Sequence, residues 1–259
     1  NINNPNFKPL PYICMPTTAG SGSEATHFAV MYINNTKLSI AHQKLIPNYV
    51  IIDPILHYSQ TPYQKAVSGI DALAHAIESF WSIQSTKESI LYSEKALELI
   101  WDNLPKVVHE CDHLAHLKLA IGANLAGKAI NIAKTTAPHA LSYIITKLYN
   151  IPHGHAVALT LPQFFLFNLS GVKLKEKKVP IIDPKKICGI LRCKNINEGK
   201  IKLEKMFANI GLECKLSKLG AVNKEDISTI VNSVNHERMK NNPFFIEKEQ
   251  LLEIIENIW

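Results

Sequence analysis

Between residues 12 and 52 the apolar residues come in short runs bounded by turn formers, whereas after residue 61 they recur every three or four positions. The first regime predicts strands. Tyr12-Ile-Cys-Met15 is closed by Pro16, and Phe28 to Ile33 and Thr36 to Ile40 flank Asn34-Asn35, the pattern of a hairpin. Tyr49-Val-Ile-Ile52 is uninterrupted by polar residues and ends at Asp53-Pro54, which predicts a strand buried on both faces. The second regime opens at Thr61-Pro62-Tyr63-Gln64, where a capping hydroxyl, a first-turn proline and a glutamine three residues on announce a helix. Helical periodicity then runs through Ile90 to Trp101, Leu117 to Ile130, His139 to Leu148 and Glu247 to Trp259. Asn103-Leu104-Pro105 predicts a helix break. Residues 1–58 thus read as an α/β piece and 59–259 as an all-helical domain. Five or more strands with crossover helices make a complete nucleotide-binding unit, so 1–58 reads as the C-terminal part of one.

Composition narrows the class. The chain's 259 residues, 46% of them hydrophobic and 19% charged, suit a soluble folded protein. No apolar run spans a bilayer and no signal peptide is visible, so no membrane partner is expected. Five cysteines, odd in number and without Cys-x-x-Cys, point to free thiols in a reducing cytoplasm. The net charge of +6 owes much to Lys173, Lys175, Lys177, Lys178, Lys185 and Lys186. No aromatic residues are interleaved with that run, which reads as a solvated loop and not as a nucleic-acid surface.

The candidate chemistry lies in the helical part. Asp71 and His75 are four residues apart and project from one helix face. Their setting, Ile70-Asp-Ala-Leu-Ala-His-Ala-Ile77, is otherwise small and apolar, so both polar groups would be buried and need satisfying. Glu78, three residues past His75, is placed to orient the His75 imidazole. His139 and His153 each follow a proline, which sets both in first helical turns. One carboxylate and three imidazoles suit a first-row divalent ion such as Fe(II) or Zn(II) better than Mg or Ca. Two other motifs compete. Gly20-Ser-Gly22-Ser-Glu-Ala25 outlines a dinucleotide fingerprint, but strand-like residues follow it where a helix N-terminus is required, so it reads as a loop lining a site. His109-Glu110-Cys-Asp-His113 matches the zinc-peptidase pattern His-Glu-x-x-His. Its interior charge and the preceding break favour a polar connection between helices.

Pro-Thr-Thr-Ala-Gly-Ser-Gly-Ser-Glu (16–24), Asp53-Pro54, Gly-Ile-Asp-Ala-Leu-Ala-His-Ala-Ile-Glu (69–78) and Pro-His-Gly-His-Ala (152–156) together resemble the iron-containing (group III) alcohol dehydrogenases. That family shares its fold with dehydroquinate synthase. The resemblance implies Asp71, His75, His139 and His153 as iron ligands, with Zn an alternative. It implies Thr17, Thr18, Phe28, Lys37 and Leu56 as residues lining the site of NAD or NADP. The expected activity is reversible hydride transfer to a small aldehyde, with no nucleic acid involved and a homodimer as the expected assembly. The family's Gly-Gly-Gly-Ser pyrophosphate turn would lie upstream of residue 1. The chain therefore reads as an N-terminally truncated member, and a fragment that binds metal without reducing aldehydes is the alternative. Many members carry a histidine four residues beyond the third ligand, where this chain has Tyr143. That variant string, Lys134 to Tyr143, resembles the phosphonoacetaldehyde reductases. It makes Tyr143 the candidate catalytic residue and Lys134, Lys128 and His27 candidates to meet an anionic substrate group.

Overall fold

A computed structural model describes residues 8–33, 36–171, 183–221, 223, 225–234 and 239–259. The expected turn at Asn34-Asn35 and the lysines at 173, 175, 177 and 178 lie outside the described residues.

The strands come first. Strand β1 (Ile13–Cys14) pairs in parallel with β4 (Tyr49–Val50), and β2 (Phe28–Ile33) pairs antiparallel with β3 (Thr36–Ala41), Phe28 opposite Ala41 and Ile33 opposite Thr36. The hairpin strands are those the alternation predicts. The buried strand expected at 49–52 is not: β4 has two residues, and Tyr49, Val50 and Ile51 are 66%, 37% and 45% exposed. Its one strand neighbour among the described residues is β1. A ladder of two strands shields little of either face.

The helices are α1 (Pro62–Trp81), α2 (Lys87–His109), α3 (His113–Ala133), α4 (Ala137–Tyr149), α5 (His153–Gly171), α6 (Pro184–Ile190), α7 (Ile196–Asn209), α8 (Glu225–Asn232) and α9 (Lys248–Glu256). Thr61 and Gln64 form the expected reciprocal cap: Thr61 Oγ1 accepts from the Gln64 N–H at 3.2 Å, and Gln64 Oε1 from the Thr61 N–H at 2.9 Å. From Gly69 to Trp81 every residue of α1 is buried, the polar Asp71, His75, Glu78 and Ser79 among them. It is the central rod, with α2, α3 and α5 packed around it. Gly69 lets α2 approach, since a Cβ there would meet Leu104 Cδ1 at 2.2 Å.

No break occurs at Pro105, which lies inside α2. Ile100, Leu104, Val107 and Val108, on either side of it, are all buried in the core, and that packing overrides the lost backbone bond. Between α3 and α4 the chain turns through Lys134 at φ 59°, ψ 171°. This conformation costs a residue with a side chain about 1–3 kcal/mol. Among the described residues no helix is long and apolar enough to cross a membrane.

Candidate metal centre

Asp71 sits midway along α1, and one of its oxygens is the focus of three imidazoles. Oδ1 lies 3.9 Å from His75 Nε2 one turn on, 3.4 Å from His139 Nε2 at the start of α4, and 3.7 Å from His153 Nε2 at the start of α5. Ligand atoms of Asp71, His75 and His139 all lie within 4.8 Å of one another. The His153 side chain reaches in from the rim, 39% exposed. The rings of His75 and His139 stack with centroids 4.6 Å apart, and those of His139 and His153 meet at 63°.

Local sequence explains the convergence. Pro138 and Pro152 start their helices, so His139 and His153 emerge from first turns, as expected. Gly154 lets α5 touch α1: a Cβ there would meet the Val67 carbonyl oxygen at 2.2 Å and the Asp71 Cβ at 3.2 Å. That close approach is what brings His153 to Asp71. His155, next along the same motif, is spent elsewhere. Its Nε2–H donates to the Glu213 carbonyl at 2.8 Å, and its Nδ1 accepts from the Tyr63 hydroxyl at 2.9 Å.

Two tautomers are fixed by the protein. Glu78, fully buried, takes the His139 Nδ1–H on Oε1, while its Oε2 accepts from the Thr136 N–H at 2.6 Å and the Thr136 hydroxyl at 2.8 Å. Trp81 Nε1–H closes the set on Thr136 Oγ1 at 2.9 Å. Ser142 Oγ donates to the His139 carbonyl at 2.8 Å and so accepts from His153 Nδ1–H at 3.1 Å. The Nε2 atoms of both rings are thereby turned toward Asp71. Glu78 therefore serves His139, not His75 as the sequence suggested. It lies a turn beyond His75 along α1, level with the first residues of α4. The spacing of Ser142, three residues after His139 on one helix face, was a legible sign of its role. Nothing local pointed to Thr136.

Burial disfavours the charged form of Asp71, but His75, His139 and His153 outweigh it and hold the carboxyl well below the usual carboxylate range. Burial likewise opposes an imidazolium at His139, yet Glu78 and Asp71 raise it to about 10. Burial wins at His75 and pushes it down, against the pull of Asp71. Asp71 Oδ1 and His139 Nε2 are buried with no hydrogen-bond partner. A tetrahedral ion with ligands at about 2.1 Å sets its ligand atoms ~3.4 Å apart, close to the spacings around Oδ1. The residues fit a divalent first-row cation.

The remaining expected site residues are spread over the adjoining surface. Thr17 and Thr18 are exposed on the loop before a 3-10 turn at Ser23–Ala25. Gln60 Nε2 donates to the Thr17 carbonyl at 3.0 Å, and Thr18 borders a cavity of about 150 Å³ shared with Tyr63, Val67, Ser68 and Pro152. Phe28 is half-buried on β2, its ring against that of His27, Lys37 stands opposite Tyr32 in the hairpin ladder, and Leu56 is half-buried in the 3-10 turn Pro54–His57. Half-buried Tyr143 has its ring 5.6 Å from that of His153. Of the residues suggested for an anion, His27 is engaged by Asn131 of α3, Lys128 Nζ lies 6.0 Å from the Tyr92 ring, and Lys134 is exposed.

The peptidase motif is taken apart by the fold. His109 ends α2 and donates from Nε2 to the Asn209 carbonyl, Glu110 is extended, and His113 opens α3 against the Tyr58 hydroxyl. Two histidines on separate helices do not share a helix face, so they do not form the pair that motif needs.

Comparison with known proteins identifies the family. The Fe-containing alcohol dehydrogenase family, C-terminal, matches residues 65–259, and iron-containing alcohol dehydrogenase matches residues 2–54. Long-chain-alcohol dehydrogenase 1 of Geobacillus thermodenitrificans is 38% identical over 156 residues, 60% of this chain and 40% of that protein. Phosphonoacetaldehyde reductase of Streptomyces viridochromogenes is 35% identical over 159 residues, again 60% and 40%. The crystal structure of sulfoacetaldehyde reductase from Bifidobacterium kashiwanohense in complex with NAD+ matches with a TM-score of 0.88 and 31% identity, covering 97% of this chain and 65% of that one. The chain thus spans less than two thirds of the length of these relatives. With helices and strands alike matched, and the buried carboxylate and imidazoles inside the matched region, this chain belongs to the iron-containing alcohol dehydrogenase family.

Proposed function

We propose that Asp71, His75, His139 and His153 hold one divalent ion, Fe(II) or alternatively Zn(II), at the centre of a nicotinamide-dependent aldehyde reductase that also runs as an alcohol dehydrogenase. The observation that carries this reading is the buried Asp71 Oδ1, without a hydrogen-bond donor and faced by three Nε2 atoms at 3.4–3.9 Å. When bound, the ion would supply Lewis acidity at the substrate carbonyl, and NAD or NADP the hydride. The chain's own residues do the rest. Glu78 and Ser142 hold two imidazoles in one tautomer, so that no reorganisation is needed as charge develops. Tyr143, its ring 5.6 Å from that of His153, would give a proton to the product oxygen in this reading. Thr17 and Thr18 offer hydroxyls and backbone amides to the cofactor's diphosphate and ribose, with Phe28, Lys37 and Leu56 along its border. Their loop is braced by contact, since Gly20 lies against Ser68 and Gly22, at φ 60°, against Gly127.

The substrate class in this reading is a two-carbon aldehyde with an acidic head group, phosphonoacetaldehyde foremost. Support comes from two relatives named for phosphonoacetaldehyde and sulfoacetaldehyde, and from Lys134 five residues ahead of His139. The test is an assay of a version extended to the length of those relatives and loaded with Fe(II) or Zn(II). It should reduce phosphonoacetaldehyde with at least tenfold higher kcat/KM than acetaldehyde, and His139→Ala should lose both metal and turnover. Equal rates on the two aldehydes would end the head-group assignment. A His139→Ala protein that keeps its metal and its rate would end the reading as a whole.

A further inference from the structure

Lys134 is the strained residue between α3 and α4, and one side chain reaches the carbonyls on both sides of it. Asn241 Nδ2 donates to the Ala133 oxygen at 2.9 Å and to the Thr135 oxygen at 2.8 Å. Ser82 Oγ, just past the end of α1, donates to the same Ala133 oxygen at 2.5 Å with Asn241 Oδ1 3.0 Å away, and the Asn241 carbonyl accepts from the Ile83 N–H at 3.2 Å. The next residue, Asn242, exchanges hydrogen bonds with Asn168 of α5 at 2.8 and 3.0 Å, which moors this segment to the helical core. Asn241 itself is buried. Immediately after the clamped carbonyl, Thr136 gives its N–H and hydroxyl to Glu78, and Glu78 takes the His139 Nδ1–H. The hydrogen bonds thus run without a gap from Asn241 to a ligand imidazole, across about a hundred residues of sequence.

We propose that Asn241 is a positioning residue for the metal centre, clamping the carbonyls on both sides of Lys134 in a strained bend that presents Thr136 to Glu78 and so fixes His139. The inference rests on the metal reading above. Its logic is that an αL-type φ with an extended ψ persists at a side-chain-bearing residue only where its surroundings over-determine it. An asparagine amide has two hydrogens in one plane, enough to hold both flanking carbonyls at once. Without that clamp, Lys134 relaxes toward negative φ and the Thr135–Thr136 peptide rotates. The fully buried Glu78 then loses two donors, and the His139 ring loses its fixed orientation.

The experiment is a titration of the 259-residue chain with Co(II), following the visible absorption of the bound ion, alongside thermal unfolding. Asn241→Ala should weaken Co(II) binding by about 10–100-fold and change the absorption spectrum, as loss of outer-sphere support does at metal sites. Asn168→Ala removes the mooring without touching the bend, and should lower Tm while leaving the affinity within about twofold. Lys134→Gly removes the strain that Asn241 restrains, so Lys134→Gly/Asn241→Ala should recover most of the lost affinity. Should Asn241→Ala fail to fold, Asn241→Asp keeps the shape, loses both donors and carries the same expectation. A wild-type spectrum and affinity in the Asn241 variant, or an equal loss in Asn168→Ala, would overturn the assignment. Asp71→Asn separates the two levels. If it binds Co(II) like wild type, the ligand set itself is wrong; if it alone loses the ion, only the role of Asn241 falls.

Discussion

Glu78 and Asp71 grip opposite sides of one imidazole, and that division of labour sets how the site meets protons. Without an ion, His139 is held charged up to about 10, whereas Asp71 stays ionised far below neutrality and burial lowers His75 against the pull of Asp71. In the metal-free chain the raised His139 stabilises the fold fully below its ordinary value of 6.5, and that contribution drains away as the pH climbs through about 10. Metal must displace the His139 proton, so each ion bound at pH 7 should release about one proton from that residue. Affinity should then rise by about tenfold per pH unit from 6.5 toward 10. Calorimetry in buffers of different ionisation enthalpy measures this directly, and a proton count of zero would contradict it. Glu78→Gln should soften the dependence by withdrawing the negative charge that holds the proton. It should also weaken binding by about 10–100-fold, read by competition with a chromophoric chelator.

At the scale of elements, glycines decide which helices can touch. Gly154→Ala sets a methyl group against the Val67 backbone, which cannot swing aside, so α5 must retreat from α1 and carry His153 with it. The expected cost is about 1–3 kcal/mol of stability together with weakened metal binding, checked by denaturant titration and metal titration of the same variant. Pro105→Ala should act in the opposite direction. It restores a backbone donor inside α2 and should stabilise the chain by up to about 3 kcal/mol in urea unfolding. These two positions also mark what the sequence made legible. The start of α1 was readable because Thr61, Pro62 and Gln64 form a local device, and the candidate ligands because Asp71 and His75 share one helix face and His139 and His153 each follow a proline. The continuity of α2 through Pro105 was not, since it depends on burial of Leu104 and Val107 against helices that no local window contains. Asn241 was invisible for a similar reason: its partners are about a hundred residues away, and an asparagine in Asn-Asn-Pro reads as a turn. Tyr49 to Ile51 read as a core strand because residue pattern reports what a segment prefers to pack against, and not whether that partner lies beside it.

Taken as a whole molecule, the candidate ligands come from α1, α4 and α5, stretches that begin at residues 62, 137 and 153. An ion gripped by all three would act as a cross-link between parts of the chain that are otherwise joined by side-chain packing and a few hydrogen bonds. Binding confined to the native state adds about 2.7 kcal/mol when free ion is at 100 times its Kd. Chelation should therefore lower Tm without altering helix content at 25 °C. The loosening should be local. Asn150, at φ 53°, and exposed Pro152 form the short link between α4 and α5, and Lys147 is exposed in the turn before it. With the ion stripped away by a chelator, trypsin should nick this joint before it attacks the buried rod of α1, and the rate of that first cut would report on how firmly the three helices are stapled.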